Sequence, residues 1–204
     1  CEDVRMALAQ NLCRSADAPR HILLCLADDK PDIAAVVLGT SPLFTDADLI
    51  DVLAGSANEL QTVIATRMGL SAAVSAAIAE IGSEKACCEL LSNRAAHLVP
   101  SSLVRLAERF GHENAELRES LLKRGDLPLQ TRHGLLLSHA RALQAEVLSE
   151  QDPSMRDSDE EAGDERLSDA SDKIALRLAG SASEAELYTL ADYLRGHALL
   201  NTRL

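Results

Sequence analysis

Tryptophan is absent from this sequence, and aromatic residues fill only 2% of its 204 positions. A core without large rings has to be built from Leu, Ala, Val and Ile, which suits stacked helices better than a sheet sandwich. Basic residues are scarce as well: 20 Lys and Arg stand against 32 Asp and Glu, a formal net charge of −12. Lys and Arg are what displace counterions from phosphate, so this balance argues against a general nucleic-acid binder. No apolar run approaches the roughly 18 residues that a membrane-spanning helix needs. Six prolines and ten glycines can punctuate helices but are too few for a fibrous or disordered chain.

The five cysteines (Cys1, Cys13, Cys25, Cys87 and Cys88) are odd in number and lack metal-knuckle spacing. That pattern points to a reduced, cytoplasmic protein without a bound cofactor, its thiols serving as small packing residues. The histidines, His21, His97, His112, His133, His139 and His197, form no His-Glu-x-x-His pair. No Gly-x-Ser-x-Gly elbow and no Gly-rich phosphate loop occurs either. Adjacent carboxylates such as Asp28-Asp29 and Glu160-Glu161 read as solvated charge rather than acid–base machinery. The expectation is a protein that is not an enzyme.

What is present is a repeat. The segment Val4–Asn11 returns at 33–40, 60–67, 86–93 and 117–124, at spacings of 29, 27, 26 and 31 residues. Its first, fifth and sixth positions are small or apolar in every copy: Val4/Leu8/Ala9, Ile33/Val37/Leu38, Leu60/Ile64/Ala65, Ala86/Leu90/Leu91 and Leu117/Leu121/Leu122. Such spacing puts the three on one side of a helix. A turn with a tucked leucine follows (Leu43, Leu70, Leu98, Leu127), then a second helix. The second helices are expected at Arg20–Asp28, Asp46–Ala54, Ala72–Ile81, Ser101–Phe110 and Leu129–Leu148. Their faces include Ile22/Leu26, Leu49/Leu53, Val74/Ile78 and Leu103/Leu106. Asp17 before Pro19, a Thr45/Asp48 capping box, Ser71, Pro100 and Pro128 mark their starts. Gly39, Gly55, Gly69, Gly82, Gly111 and Gly125 fall near helix ends, where a left-handed residue closes the last turn.

The last second-helix runs long, with Leu136, Ala140, Leu143 and Val147 in a 4-3-4 step, and is expected to project and dock something. Residues 149–164 are acidic and lack apolar periodicity, which marks a flexible linker. Beyond it, 165–204 reads as a C-terminal helical pair carrying Leu167, Ile174, Leu178, Leu187, Leu190, Leu194 and Ala198. The start at Cys1 and the apolar run into Leu204 without a stop signal read as a piece of a longer protein. Residues 1–148 form the repeat unit proper. The fold class is therefore all-α: an α-α superhelix, a HEAT-like or leucine-rich-repeat-variant-like solenoid of about five helix pairs plus C-terminal helices.

Val4-Arg5, Leu8-Ala9-Gln10-Asn11, Ile22-Leu23-Leu24, Leu26-Ala27-Asp28-Asp29 and Ser41-Pro42-Leu43 resemble the leucine-rich repeat variant pattern. More closely, residues 2–130 resemble the bacterial family of domain of unknown function 2336. The shared stretches are 49–53, 69–75, 93–96 and 117–128, with a weaker likeness over 194–204. This resemblance implies a right-handed superhelix of helix pairs and carries over no catalytic residue. Leucine-rich-repeat-variant relatives can hold an iron–sulphur cluster on a cysteine-rich N-terminal segment, which this chain lacks.

One basic cluster stands out from the acidic background. Arg105, Arg109, Arg118, Arg124 and Arg132 lie in a region, 103–141, whose net charge is +2, next to 150–172 at −8. They are the candidate docking patch for an acidic protein or peptide partner, or for the chain's own acidic strip. The bland alternative is ordinary charge on exposed helix faces. The function expected is a non-enzymatic protein–protein interaction scaffold. The alternatives are a nucleic-acid-binding helical-repeat protein of the DNA-glycosylase-like type and a regulatory module gated by the acidic linker. The aromatic residues Phe44, Phe110, Tyr188 and Tyr193 do not interleave with the arginines, as base stacking would require.

Overall fold

In a computed structural model, residues 1–149, 171–176, 178 and 190–195 are described. All regular structure among them is helical. The first four helices are α1 (Glu2–Leu12), α2 (Arg20–Ala27), α3 (Pro31–Thr40) and α4 (Asp46–Gly55). Next come α5 (Asn58–Ala65), α6 (Ala72–Ile81), α7 (Glu84–Ser92) and α8 (Pro100–Phe110). The run ends with α9 (Ala115–Lys123) and α10 (Leu129–Ser149). Each repeat copy is the body of an odd-numbered helix, and each expected second helix is an even-numbered one.

The local signals act as the chemistry requires. Thr45 and Asp48 form a reciprocal capping box: the Asp48 N–H donates to Thr45 Oγ1 at 3.3 Å, and the Thr45 N–H donates to Asp48 Oδ2 at 2.7 Å. Ser71, Ser83 and Asn114 cap α6, α7 and α9 in the same single-sided way. Pro31 and Pro100 occupy first turns, where no N–H is missed. Asp17, by contrast, caps nothing, because Pro19 is itself the N-cap of α2.

The glycine expectation needs correction. Among the described residues only Gly69 is left-handed, at φ +69°. Gly111 is needed for a different reason: a Cβ there would sit 2.5 Å from the Ala107 carbonyl oxygen and collide with Leu135. Gly39 and Gly55 are helical residues, part of α3 and α4.

The odd-numbered helices pack in sequence, α1 on α3, α3 on α5, α5 on α7 and α7 on α9. Likewise α4 packs on α6, α6 on α8 and α8 on α10, while α2 lies against α1 and α3. One apolar core runs through all of them, from Ala9 to Leu135. The turn leucines Leu70, Leu98 and Leu127 are buried in it, and Phe44 takes that place where Leu43 is only half-buried.

Burial along the template shows which side of each odd helix meets which neighbour. In α3, α5 and α7 the first, second, fifth and sixth positions are all buried. In α9 the first and fifth (Leu117, Leu121) are buried, but the second and sixth (Arg118, Leu122) are half-exposed. In α1 the order reverses: Ala9 at the sixth is buried, whereas Val4 and Leu8 at the first and fifth are 66% and 40% exposed. Positions one and five thus face the preceding odd helix, and two and six face the following one. The expectation of a buried first copy is corrected accordingly: among the described helices none packs against Val4 and Leu8 on that side of α1.

A second, smaller cluster joins Leu129 of α10 to Leu178 and Leu190, with Ile174, Tyr193 and Leu194 against it. Of the faces read for the C-terminal pair, Leu178 and Leu190 are buried and Ile174 and Leu194 half-buried, while Leu167, Leu187 and Ala198 lie outside the described residues. Residues 150–170, 179–189 and 196–204, which include most of the acidic strip, lie outside the described residues. So do the side chains of Leu143 and Val147.

One template position has two different environments, and stability should report it. Leu90→Ala, at a fully buried fifth position, should cost about 2–5 kcal/mol in urea unfolding. Leu8→Ala, at the same position in α1, should cost well under about 1 kcal/mol.

Candidate functional site

The last carbonyls of any helix have no partner within it, and they carry the negative end of the helix dipole. Side chains of neighbouring helices answer this need repeatedly here. From the eighth template position of its unit, Arg67 donates to the carbonyl of Leu38 and, at 2.7 Å, to that of Ser41, both at the end of α3. Asn93, also at an eighth position, donates to the carbonyls of Ala65 at 2.9 Å and Arg67 at 2.7 Å, after α5. Burial lowers the pKa of the Arg67 guanidinium from its usual value.

Three of the five candidate arginines belong to the same system. Arg109 donates to the carbonyls of Ala79 and Gly82 at the end of α6, both at 2.8 Å, and its guanidinium lies 4.5 Å from the Phe110 ring centroid. Arg118 donates to the carbonyls of Gly111 at 3.1 Å and His112 at 3.3 Å, after α8. Arg132 donates to the carbonyls of Leu122, at 3.3 Å, and Arg124, at the end of α9. Arginine suits the task, because its planar fork reaches two carbonyls at once.

The remaining two are engaged with carboxylates at the surface. Arg105 makes a forked pair with Glu80, at 2.7 and 2.9 Å, and a longer contact with Glu108 at 3.4 Å. Those carboxylates, Glu80 foremost, raise its pKa further. Arg124 makes a similar fork on Asp126, at 2.9 and 2.7 Å, and holds that carboxyl below its ordinary range. The five therefore do not form a single cationic face. Arg109, Arg118 and Arg132 direct their guanidinium groups into the fold, and Arg105 and Arg124 carry neutralising carboxylates.

Two of the five thiols also point inward, whereas Cys1 lies at the surface and Cys88 is half-buried. All five are free, with Cys13 and Cys87 buried and Cys25 exposed. Burial pushes the Cys87 thiol up to about 11, against the opposing pull of Arg109. Among the described residues no group of three His, Cys, Asp or Glu is placed to hold a metal ion.

Among the described histidines His133 is the buried exception. It lies where α10 meets the later helical stretches: its Nε2 is 3.2 Å from Ser171 Oγ, and its ring meets Tyr193 edge-on at 5.7 Å. Beside it, a cleft of about 210 Å³ runs between α8, α10 and the 190–195 stretch, with Glu108, His112, Gln130, Thr131 and Tyr193 on its walls. Neither Arg67 nor Asn93 was singled out from sequence. The available signal was their shared place, the eighth residue of the template.

The model of a family described as "Uncharacterised protein conserved in bacteria (DUF2336)" matches residues 33–202. The chain belongs to DUF2336. The match begins later than the resemblance read from 2–130, and it runs without a break from α3 through the C-terminal stretches. DUF2336 membership thus covers the Leu129–Leu178–Leu190 junction as well as the repeats. No curated protein and no solved structure matches the chain. Among the described residues no helix is long and apolar enough to cross a membrane.

Two outcomes check these assignments. Arg109→Ala leaves two helix-end carbonyls short of partners and should lower the urea midpoint by an amount equal to about 2–4 kcal/mol, with Arg109→Lys only partly restoring it. With maleimide at pH 8, Cys25 should label within minutes while Cys87 stays unreacted until the protein unfolds.

Acid should also weaken the chain. Burial raises the Asp48 pKa, but hydrogen bonds from Thr45 and Arg20 outweigh it, and the group sits below its ordinary value of 3.8. The Lys30 N–H and then Arg5 lower Asp29 similarly. Their contribution is complete above the ordinary carboxylate range and is lost as pH falls through the depressed values. Denaturant midpoints should therefore be flat near neutrality and drop below pH 4, with a smaller drop in Asp48→Asn.

Proposed function

We propose that α1/α2 through α9/α10 act as five helix pairs of a right-handed α-α superhelix, HEAT-like and leucine-rich-repeat-variant-like, and that this array is a non-enzymatic scaffold for protein–protein interaction in the bacterial cytoplasm. The observation that carries this reading is a joint made more than once from the same template positions: buried residues at one, two, five and six of α3, α5 and α7, apolar at one, five and six, with a polar latch at eight from Arg67 and Asn93. A scaffold stabilised between neighbours leaves its outer helix faces free for recognition.

The partner surface in this reading is that of the second helices. Glu80 and Glu108 flank Arg105 there, and Arg124 and Asp126 follow α9. An acidic partner segment would exchange with Glu80 at Arg105 and with Asp126 at Arg124, keeping two of the five arginines as docking residues. Exposed ion pairs contribute little to folding, about 0–1 kcal/mol, so such an exchange is inexpensive. The nucleic-acid alternative draws no support from the arginines, three of which point back into the fold.

Affinity capture from native lysate, with proteins identified by mass spectrometry, tests the scaffold. Wild-type protein should recover a specific partner, and the double variant Arg105→Glu/Arg124→Glu should recover markedly less of it. A capture free of any specific protein would count heavily against the proposal.

A further inference from the structure

Two connections, residues 66–71 between α5 and α6 and 93–99 between α7 and α8, are bolted into one surface. On one side the Asn93 amide donates to the carbonyls of Ala65 and Arg67, at 2.9 and 2.7 Å. On the other the His97 N–H donates to the Leu70 carbonyl at 2.9 Å. These bonds straddle Met68 and Gly69. The second connection is also tied within itself: the Ala95 N–H donates to Asn93 Oδ1 at 3.0 Å, and the Ala96 N–H to the Asn93 carbonyl at 3.2 Å. Gly69 is left-handed at φ +69°, and each connection tucks a leucine, Leu70 or Leu98, into the core. Connections held in this way have little conformational freedom left to lose on binding.

What this surface presents differs from the rest of the chain. Met68 is 85% exposed, more than any other large apolar residue described. The bond from Asn93 to the Arg67 carbonyl brings the backbone at Arg94 close to that at Met68, and Arg94 and His97 are both exposed. Arg105, Arg109, Arg118, Arg124 and Arg132 all have carbonyl or carboxylate partners. Among the described residues nothing bonds the Arg94 guanidinium. Neither connection contains an Asp or Glu, although the chain has 32 of them. The corresponding places in the units before and after hold Asp46 and Asp126. A fixed cation without its own counter-charge, beside an adaptable thioether, is complementary to carboxylates grouped around an aliphatic side chain. Neither connection offers an aromatic ring on which a base could stack.

We propose that the 66–71 and 93–99 connections form a docking surface for an acidic peptide segment carrying an aliphatic side chain. Met68 is its apolar contact and Arg94 its cation, with His97 at the edge. Charge complementarity selects that occupant, because the surface is locally basic in an acidic chain. The residues are not those of the second-helix surface, so the inference goes beyond that reading and does not depend on Arg105 or Arg124.

A defined probe tests it with the full chain. The acetylated, amidated heptapeptide Asp-Glu-Asp-Leu-Asp-Glu-Asp is titrated into isotope-labelled protein at low salt. It should give saturable shifts centred on 66–71 and 93–99, and binding should weaken as salt screens the charges. Arg94→Glu should weaken binding by about tenfold or more, and Met68→Ser by about three- to tenfold. Both side chains are exposed, so both variants should keep the wild-type urea midpoint, which separates lost binding from lost folding. The peptide with alanine in place of leucine should bind more weakly. The double variant Arg105→Glu/Arg124→Glu should bind the probe as wild type does. No saturable shift up to millimolar peptide, or shifts centred elsewhere, overturns the proposal. So does inorganic phosphate that gives the same shifts with equal affinity, since the surface would then hold any anion. Binding lost in the double variant but intact in Arg94→Glu also overturns it, and that result leaves the second-helix reading standing.

Discussion

The constraint on which this structure depends is the unsatisfied end of a short helix. With helices of 8 to 11 residues from α1 to α9, a large share of all carbonyls lies in a last turn. Helices this short are marginal alone, so the polar ends must be satisfied by the same neighbours that bury the apolar sides. Arg67, Asn93, Arg109, Arg118 and Arg132 do this by reaching into the end of another helix. Gln61 adds a buried bridge, donating to the Leu53 carbonyl at 3.0 Å and accepting from the Ser83 N–H at 2.8 Å, which ties α4 to the start of α7.

Much of the fold was legible because it follows from period and local chemistry. The seam positions of α3, α5 and α7 announced themselves through spacing, and Thr45/Asp48, Ser71 and Pro100 marked helix starts with residues whose effects are local. The misreadings share a cause: each depends on what lies across a joint. Val4 and Leu8 match the template but lack the neighbour that would bury them. Gly111 stands where sequence suggests backbone freedom, whereas the Ala107 carbonyl at the end of α8, together with Leu135 from α10, is what leaves no space there. The five arginines looked like one patch because sequence shows charge but not reach. A guanidinium at the end of a long stem can serve carbonyls several ångströms from its own helix face, so its role is decided by the helix it meets.

The same distinction organises the site. Charge that is used within the fold, as at Arg109 and Arg132, is withdrawn from recognition, while the exposed forks Arg105–Glu80 and Arg124–Asp126 keep a cation that an outside carboxylate can share. At the far end, the junction of Leu129, Leu178 and Leu190 with His133 and Tyr193 ties α10 to the later stretches. Membership of DUF2336 spans that junction, so what the family has in common extends beyond the repeats.

The direction of the latches bears on how the chain is made. Arg67 serves α3 and Asn93 serves α5, so the polar partner of a helix end lies 26 to 29 residues later in the chain. During synthesis from the N-terminus α3, like α5, leaves the ribosome before the side chain that completes it. Its last turn is satisfied by water alone until one more unit has emerged. Completion of these two helix ends accordingly trails translation by one repeat, whereas the end of α9 is held by Arg132 of α10, only 8 to 10 residues further on.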